Sequence, residues 1–288
     1  MRFPIAAVFL VPLSVVAACD LFPSDLTTID LPVPISSPAV DVDVGTPVDS
    51  AIDSACATPD AASCLGIAAL CEAEEGAPCV PPTLPDQFPQ EITFDGETTS
   101  AEDVLPDAVK EATLIKLAIP VDLTDLLEAG GVTSSDQVKD ITIKQLGINW
   151  EANSLTFNAP ALDVYVGPKV DDVTDPDSLV TAEGFARIGT IGVDVDEAAS
   201  GFEAGQLAET TGVVPLTFIE GGNAAFNEQL KTFAFTLVLV APDGQALTLS
   251  EVDGDSSKVR KPDGAASLKL EGELSYSVDL AEAAGITD

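Results

Sequence analysis

The sequence predicts an all-β protein: an antiparallel β-sandwich with a small disulfide-stapled helical insertion near its N-terminus. Three observations lead there. Apolar and polar residues alternate with period two in many short runs, and the clearest is the last. In it Leu268, Leu270, Leu274, Tyr276, Val278 and Leu280 fall on one face, and Lys269, Glu271, Glu273, Ser275, Ser277 and Asp279 on the other. One wet face and one buried face imply an antiparallel sheet packed on another layer. Long helical repeats are few, and Cys56, Cys64, Cys71 and Cys79 crowd into one stretch that the strand pattern avoids. A closed barrel is the alternative arrangement for so many strands.

In chain order, Arg2 precedes an uncharged, mostly apolar run from Phe3 to Ala18. That run is too short to settle as a membrane-spanning helix, so residues 1–18 are expected to be a signal peptide. It ends in Val16-Ala17-Ala18-Cys19, which resembles the lipobox of bacterial lipoproteins. The resemblance covers roughly the first twenty residues only. It implies cleavage before Cys19, diacylation of its sulfur and usually acylation of the new amine. Two or three acyl chains anchor stably where one binds only marginally. The expected location is therefore the bacterial cell envelope, with the protein held at a membrane through Cys19. Asp20 resembles the inner-membrane retention signal of enteric lipoproteins, although sorting rules differ between bacterial groups.

Residues 19–46 are rich in Pro, Ser and Asp, as befits a tether. Within them Ile29, Leu31, Val33 and Ile35 alternate with Asp30, Pro32 and Pro34, and Val40, Val42 and Val44 with Asp41 and Asp43. Proline cannot donate a ladder hydrogen bond, which confines the first of these strands to a sheet edge.

Residues 47–82 read as a Cys-rich helical hairpin. Thr46-Pro47 with Asp49, and then Thr58-Pro59-Asp60, carry helix-start chemistry. An even set of four cysteines in an exported chain predicts two disulfides, and their spacing lacks the close pairs of a zinc site. On one helix Cys64 and Cys71 would lie about 10 Å apart along the axis, beyond disulfide reach. This leaves Cys56–Cys64 with Cys71–Cys79, or Cys56–Cys71 with Cys64–Cys79. The first is favoured, because Cys56 ends one helix where Cys64 begins the next. Such a hairpin is either a recognition knob or an insertion too small to hold itself without bridges.

Pro81-Pro82 and Pro85 mark the start of the β-domain, residues 83–288. Ile115, Leu117, Ile119, Val121 and Leu123 alternate. Ile141 and Ile143 shift phase to Leu146, Ile148 and Trp150, which predicts a bulge near Lys144-Gln145. Asn153 turns the chain into Leu155-Thr156-Phe157, and another shift at Pro160 leads to Leu162, Val164 and Val166. Further strands are expected at Ile191–Val195, Val213–Ile219 and Phe233–Val240, with a helix near 224–231 capped by Asn223. Gly272 interrupts the last apolar row, as a kink or a bulky neighbour would require.

Composition limits function. The formal charge is −36, and loss of Arg2 with the signal makes it −36 − 1 = −37. That field repels nucleic acid, whose recognition needs Lys and Arg, and favours cationic partners or divalent ions. No histidine is present, which removes the usual general base, the His-dependent triads and the histidine ligands of catalytic zinc. Phosphate-cradling and dinucleotide motifs are missing too. A carboxylate-pair hydrolase stays as a minor alternative, although 48 acidic residues make any chosen pair uninformative. Two acidic loops could supply oxygens to calcium: Asp171, Asp172, Asp175 and Asp177, and then Glu251, Asp253 and Asp255 around Gly254. Neither follows EF-hand spacing, and both also suit a solvated acidic surface, as do Asp194 and Asp196. No other cofactor is implied. The sequence thus points to a lipid-anchored envelope protein that binds or organises another envelope protein. A calcium-dependent adhesion module and a carrier of apolar ligands are the rivals.

Overall fold

In the computed structural model the described residues are 28–58, 61–79, 81–192, 201–202, 212–242 and 247–279. The chain begins with β1 (Thr28–Ser36) and β2 (Val40–Asp43), followed by helices α1 (Gly45–Ala55) and α2 (Ala62–Glu75). Next come β3 (Gln87–Pro89), β4 (Glu91–Phe94), β5 (Glu97–Ser100), α3 (Ala101–Val104) and α4 (Asp107–Ala112). Then follow β6 (Lys116–Asp122), α5 (Thr124–Ala129), β7 (Val138–Asn153), β8 (Phe157–Pro160), β9 (Leu162–Pro168) and α6 (Pro176–Val180). β10 (Ala186–Ile191), β11 (Gly201–Phe202), β12 (Val214–Phe218), α7 (Gly222–Leu230) and β13 (Ala234–Val240) precede β14 (Thr248–Leu249), β15 (Glu251–Val252), β16 (Asp255–Arg260) and β17 (Ala265–Asp279).

The expected all-β, antiparallel class is what forms. One large sheet runs β1-β17-β7-β12-β10-β9-β13-β6, with β2 also paired to β17. It is a single curled sheet, so the two layers of the predicted sandwich are its two halves. A Cβ on Gly130, which ends α5 beyond edge strand β6, would overlap Leu31 of the opposite edge strand β1, and in this way the two edges meet. Smaller sheets β11-β8-β14 and β15-β16-β3 and the β4–β5 hairpin complete the fold.

Aromatic side chains fill the interior. Trp150 meets Phe202 edge-on at 5.2 Å, and Phe226 of α7 meets Phe235 at 5.4 Å. The buried Tyr276 hydroxyl donates to the Leu230 carbonyl at 3.2 Å and so ties the end of α7 to β17. Burial pushes this phenol's pKa up.

Several local signals hold. Leu268, Leu270, Leu274, Tyr276 and Val278 are buried, while Leu280 lies outside the described residues. In β7, Ile143 pairs with Leu274 and Gln145 with Glu273, which leaves Lys144 as the bulged residue that resets the apolar face. The Asn153 side chain accepts from the Leu155 amide at 3.0 Å and closes the turn after β7. Gly272 faces Leu146 and the Gln145 carbonyl, the close neighbours that leave no room for a side chain. Pro32 and Pro34 stand exposed on edge strand β1.

Other expectations need correction. α1 starts at Gly45 with Val44 at its cap, and the Asp43 carboxylate, rather than Thr46, serves the first turn by accepting from the Thr46 amide. Pro59 and Asp60 lie outside the described residues, and α2 is capped by Ala61. α7 starts at Gly222 behind the left-handed Gly221, so Asn223 falls inside its first turn. The strand expected at 191–195 is instead β10, which ends at Ile191; Asp194 and Asp196 lie outside the described residues. Residues 101–112 and 124–129, within the region read as mainly β, form α3, α4 and α5. Helices of four to six residues are too short to print a 3.6-residue repeat.

The register fixes the long axis. Thr28 pairs with Asp279, and Asp43 pairs with Ala265, so β1 and β2 together track the whole of β17. The chain therefore enters beside the end of β17 and reaches the opposite end before α1 begins. A strand of 15 residues spans about 45 Å.

At that far end the favoured disulfides form: Cys56–Cys64, with Cα atoms 4.7 Å apart, and Cys71–Cys79 at 6.1 Å. α1 packs on α4, and α2 on β3 and β4. Ion pairs of Lys261 with Asp49 and Lys258 with Glu74 link this helical cap to the β16 segment.

Candidate functional site

The site with the most chemistry lies in the cap. Gly66 of α2 lets the backbone of α3 come against it, for a Cβ there would overlap the Val104 carbonyl. A groove of about 830 Å³ lies beside this close crossing. Its first wall is the α1–α2 junction, framed by the Cys56–Cys64 bridge and by a 3.0 Å hydrogen bond from the Ser63 hydroxyl to the Ala55 carbonyl. Its second wall is the β4–β5 hairpin. Asp95 and Gly96 both adopt positive φ, 52° and 84°, the conformation a tight two-residue hairpin turn requires. The third wall runs from Asp103 to Ala108.

The floor is apolar, with Phe94, Val104 and Leu105, and the rim is acidic, with Asp95, Glu97, Asp103 and Asp107 exposed. Ser100 and Asp103 interlock at the start of α3: the Ser100 hydroxyl donates to the Asp103 carboxylate at 2.7 Å, and the Asp103 amide donates back to Ser100 at 3.2 Å. Asp107 faces Lys110 at 3.9 Å, an exposed and weak pairing. An open trough of mixed apolar and polar lining, with exposed acids at its rim, suits non-covalent recognition.

The residues singled out from sequence are distributed differently. Cys19 lies outside the described residues. In the first acidic loop Asp171 pairs with Lys169 at 3.2 Å, and Asp177 with Lys116 at 2.6 Å. Asp175 caps α6 by accepting from the Asp177 amide, while Asp172 stands exposed. The Asp177 contact, followed by Glu111, raises the Lys116 pKa. In the second loop Asp253 pairs with Arg260 at 2.7 Å. Asp255 accepts from the Ser257 hydroxyl and amide, which lowers its pKa, and Glu251 pairs within the β15–β16 hairpin. Asp171, Asp177 and Asp253 thus meet cations and Asp175 and Asp255 cap local backbone, while the Glu251 pairing is one of backbone register. Among the described residues no group of three or more Cys, Asp or Glu is placed to hold a metal ion.

The groove acids escaped sequence reasoning, although two signals marked them. Asp95-Gly96 follows the β-prone Ile92-Thr93-Phe94, a strong hairpin signature, and Ser100-Ala101-Glu102-Asp103 resembles a capping box. No family model, curated protein or solved structure matches this chain.

Proposed function

We propose that the protein is a lipid-anchored binding protein of a bacterial cell envelope, held by acyl chains on Cys19, which presents its helical cap to another envelope protein. The observation that supports this is the register of β1 and β2 on β17. Thr28, nine residues after Cys19, enters at one end of the curled sheet, and the cap begins at Gly45 at the other. Nine extended residues reach at most about 30 Å, so a lipidated Cys19 keeps the entry end close to the bilayer. With the sheet upright on the bilayer, its length of about 45 Å holds the cap clear of the surface. Two disulfides in that cap suit an oxidising compartment outside the cytoplasm.

The test is Cys19→Ser, followed by membrane fractionation and metabolic palmitate labelling. The variant is expected to lose the label and leave the membrane fraction. Unchanged labelling would end the lipoprotein reading.

A further inference from the structure

We propose that the groove framed by α2, the β4–β5 hairpin and α3–α4 is the docking site for a basic protein segment that carries an apolar anchor residue. This takes the binding role above as its premise and adds the chemistry of the partner. Charge complementarity carries the argument. No described Lys or Arg forms an ion pair with Asp95, Glu97 or Asp103, and Asp107 has only Lys110 at 3.9 Å. The other ten described cations are all engaged with carboxylates elsewhere. The rim is thus open to positive charge from another molecule.

The floor decides which kind of molecule. A bare divalent ion would leave Phe94, Val104 and Leu105 unused, and a bilayer is too flat to enter a groove of about 830 Å³. That volume lies within the range of pockets that enclose a ligand of several side chains' size. A segment that alternates Lys or Arg with Leu, Ile or Phe would satisfy floor and rim together.

The experiment uses the full-length protein, oxidised and purified in mild detergent, as bait for a displayed library of random 12-residue peptides. Four variants of the rim are combined in one protein: Asp95→Asn, Glu97→Gln, Asp103→Asn and Asp107→Asn. Asn tolerates the positive φ of position 95, so the hairpin is retained. A remote set, Asp125→Asn, Asp136→Asn, Asp140→Asn and Asp172→Asn, makes the same change in net charge away from the groove. Ala108→Trp fills the groove without changing charge.

Enriched peptides are expected to be net basic and to contain an apolar residue. They should bind the rim variant about tenfold more weakly than the unaltered protein, as four weak exposed ion pairs together predict. Ala108→Trp should weaken them comparably, and the remote set should leave them unchanged. Enrichment of peptides that are not basic, equal loss with the rim and remote sets, full binding to Ala108→Trp, or no enrichment at all overturns the proposal. Fractionation of Cys19→Ser does not enter this result, so the anchor reading and the groove reading fail separately.

Discussion

Along β17, Leu268, Leu270, Leu274, Tyr276 and Val278 are buried on one face of a strand paired on both sides, and Trp150 and Phe235 close over the same interior. The helical cap buries less: Val48 and Ile52 from α1, Ile67 and Leu70 from α2, and Phe88 beneath them. Its two helices are joined by one covalent bridge, and α2 is tied to the segment after it by a second. The sheet is held by burial that works in any compartment. The cap's buried side chains join the same continuous core, and its two bridges add covalent ties that the described sheet strands do not have. Structure that can loosen locally while its support stays intact belongs at the low-stability end of a protein, where binding surfaces are drawn from.

The comparison can be broken at its strong end first. Trp150→Ala removes a fully buried ring from the interior and its edge contact with Phe202. It should cost about 3–5 kcal/mol in urea unfolding followed by far-UV circular dichroism. A cost under about 1 kcal/mol would mean the sheet is not the stable half. Next, Cys56→Ala with Cys64→Ala should cost about 2–3 kcal/mol, as expected for a short closed loop. Here the place matters more than the size. Hydrogen exchange should speed up in α1 and α2 while the β7–β17 amides keep their protection. Equal loss in both regions would mean that sheet and cap unfold as one unit.

The smallest effect sharpens the comparison at the entry end. Hydrogen bonds from Thr124 and then from Lys169 hold the Asp122 carboxyl down at about 2. A depressed carboxylate contributes stability above its unfolded pKa of about 3.9 and loses it as pH falls towards the folded value. The group is largely exposed, so solvent screening keeps the contribution below about 1 kcal/mol. Asp122→Asn should therefore flatten the stability profile between about pH 4 and 2, and leave pH 7 changed only by that small amount. An unaltered acid limb would show that Asp122 is merely solvated.

What could be read from sequence depended on whether a signal was local. The β17 alternation, the Lys144 bulge and the edge prolines each sit within a few residues, and each holds in the structure. The cystine pairing was narrowed by the rise of a single helix, also a local rule, with Cys64 and Cys71 on α2 as required. The partners of the acidic loops are less legible, because a carboxylate can pair with a cation far along the chain. Asp177 and Lys116 are 61 positions apart. The groove was invisible for the same reason: α1, α2, the hairpin and α3 bring its walls from separate stretches, and two of them meet where Gly66 has no side chain.

The register of β1 also sets how the molecule bears load. Were the protein anchored by a lipid at Cys19 and held by a partner on α2, as proposed, a pull between them would travel through β1 and β2 into α1 and cross to α2 at the Cys56–Cys64 bridge. Along that path the covalent chain itself carries the tension, and the paired positions from Thr28–Asp279 to Ser36–Glu271 keep β1 straight beneath it. A pull between residues 28 and 279, whose strands run antiparallel from the same end, would instead peel those pairs apart one after another. The same strand is thus mechanically stiff in the direction an anchored binding protein would be tugged, and weak in a direction it would seldom experience.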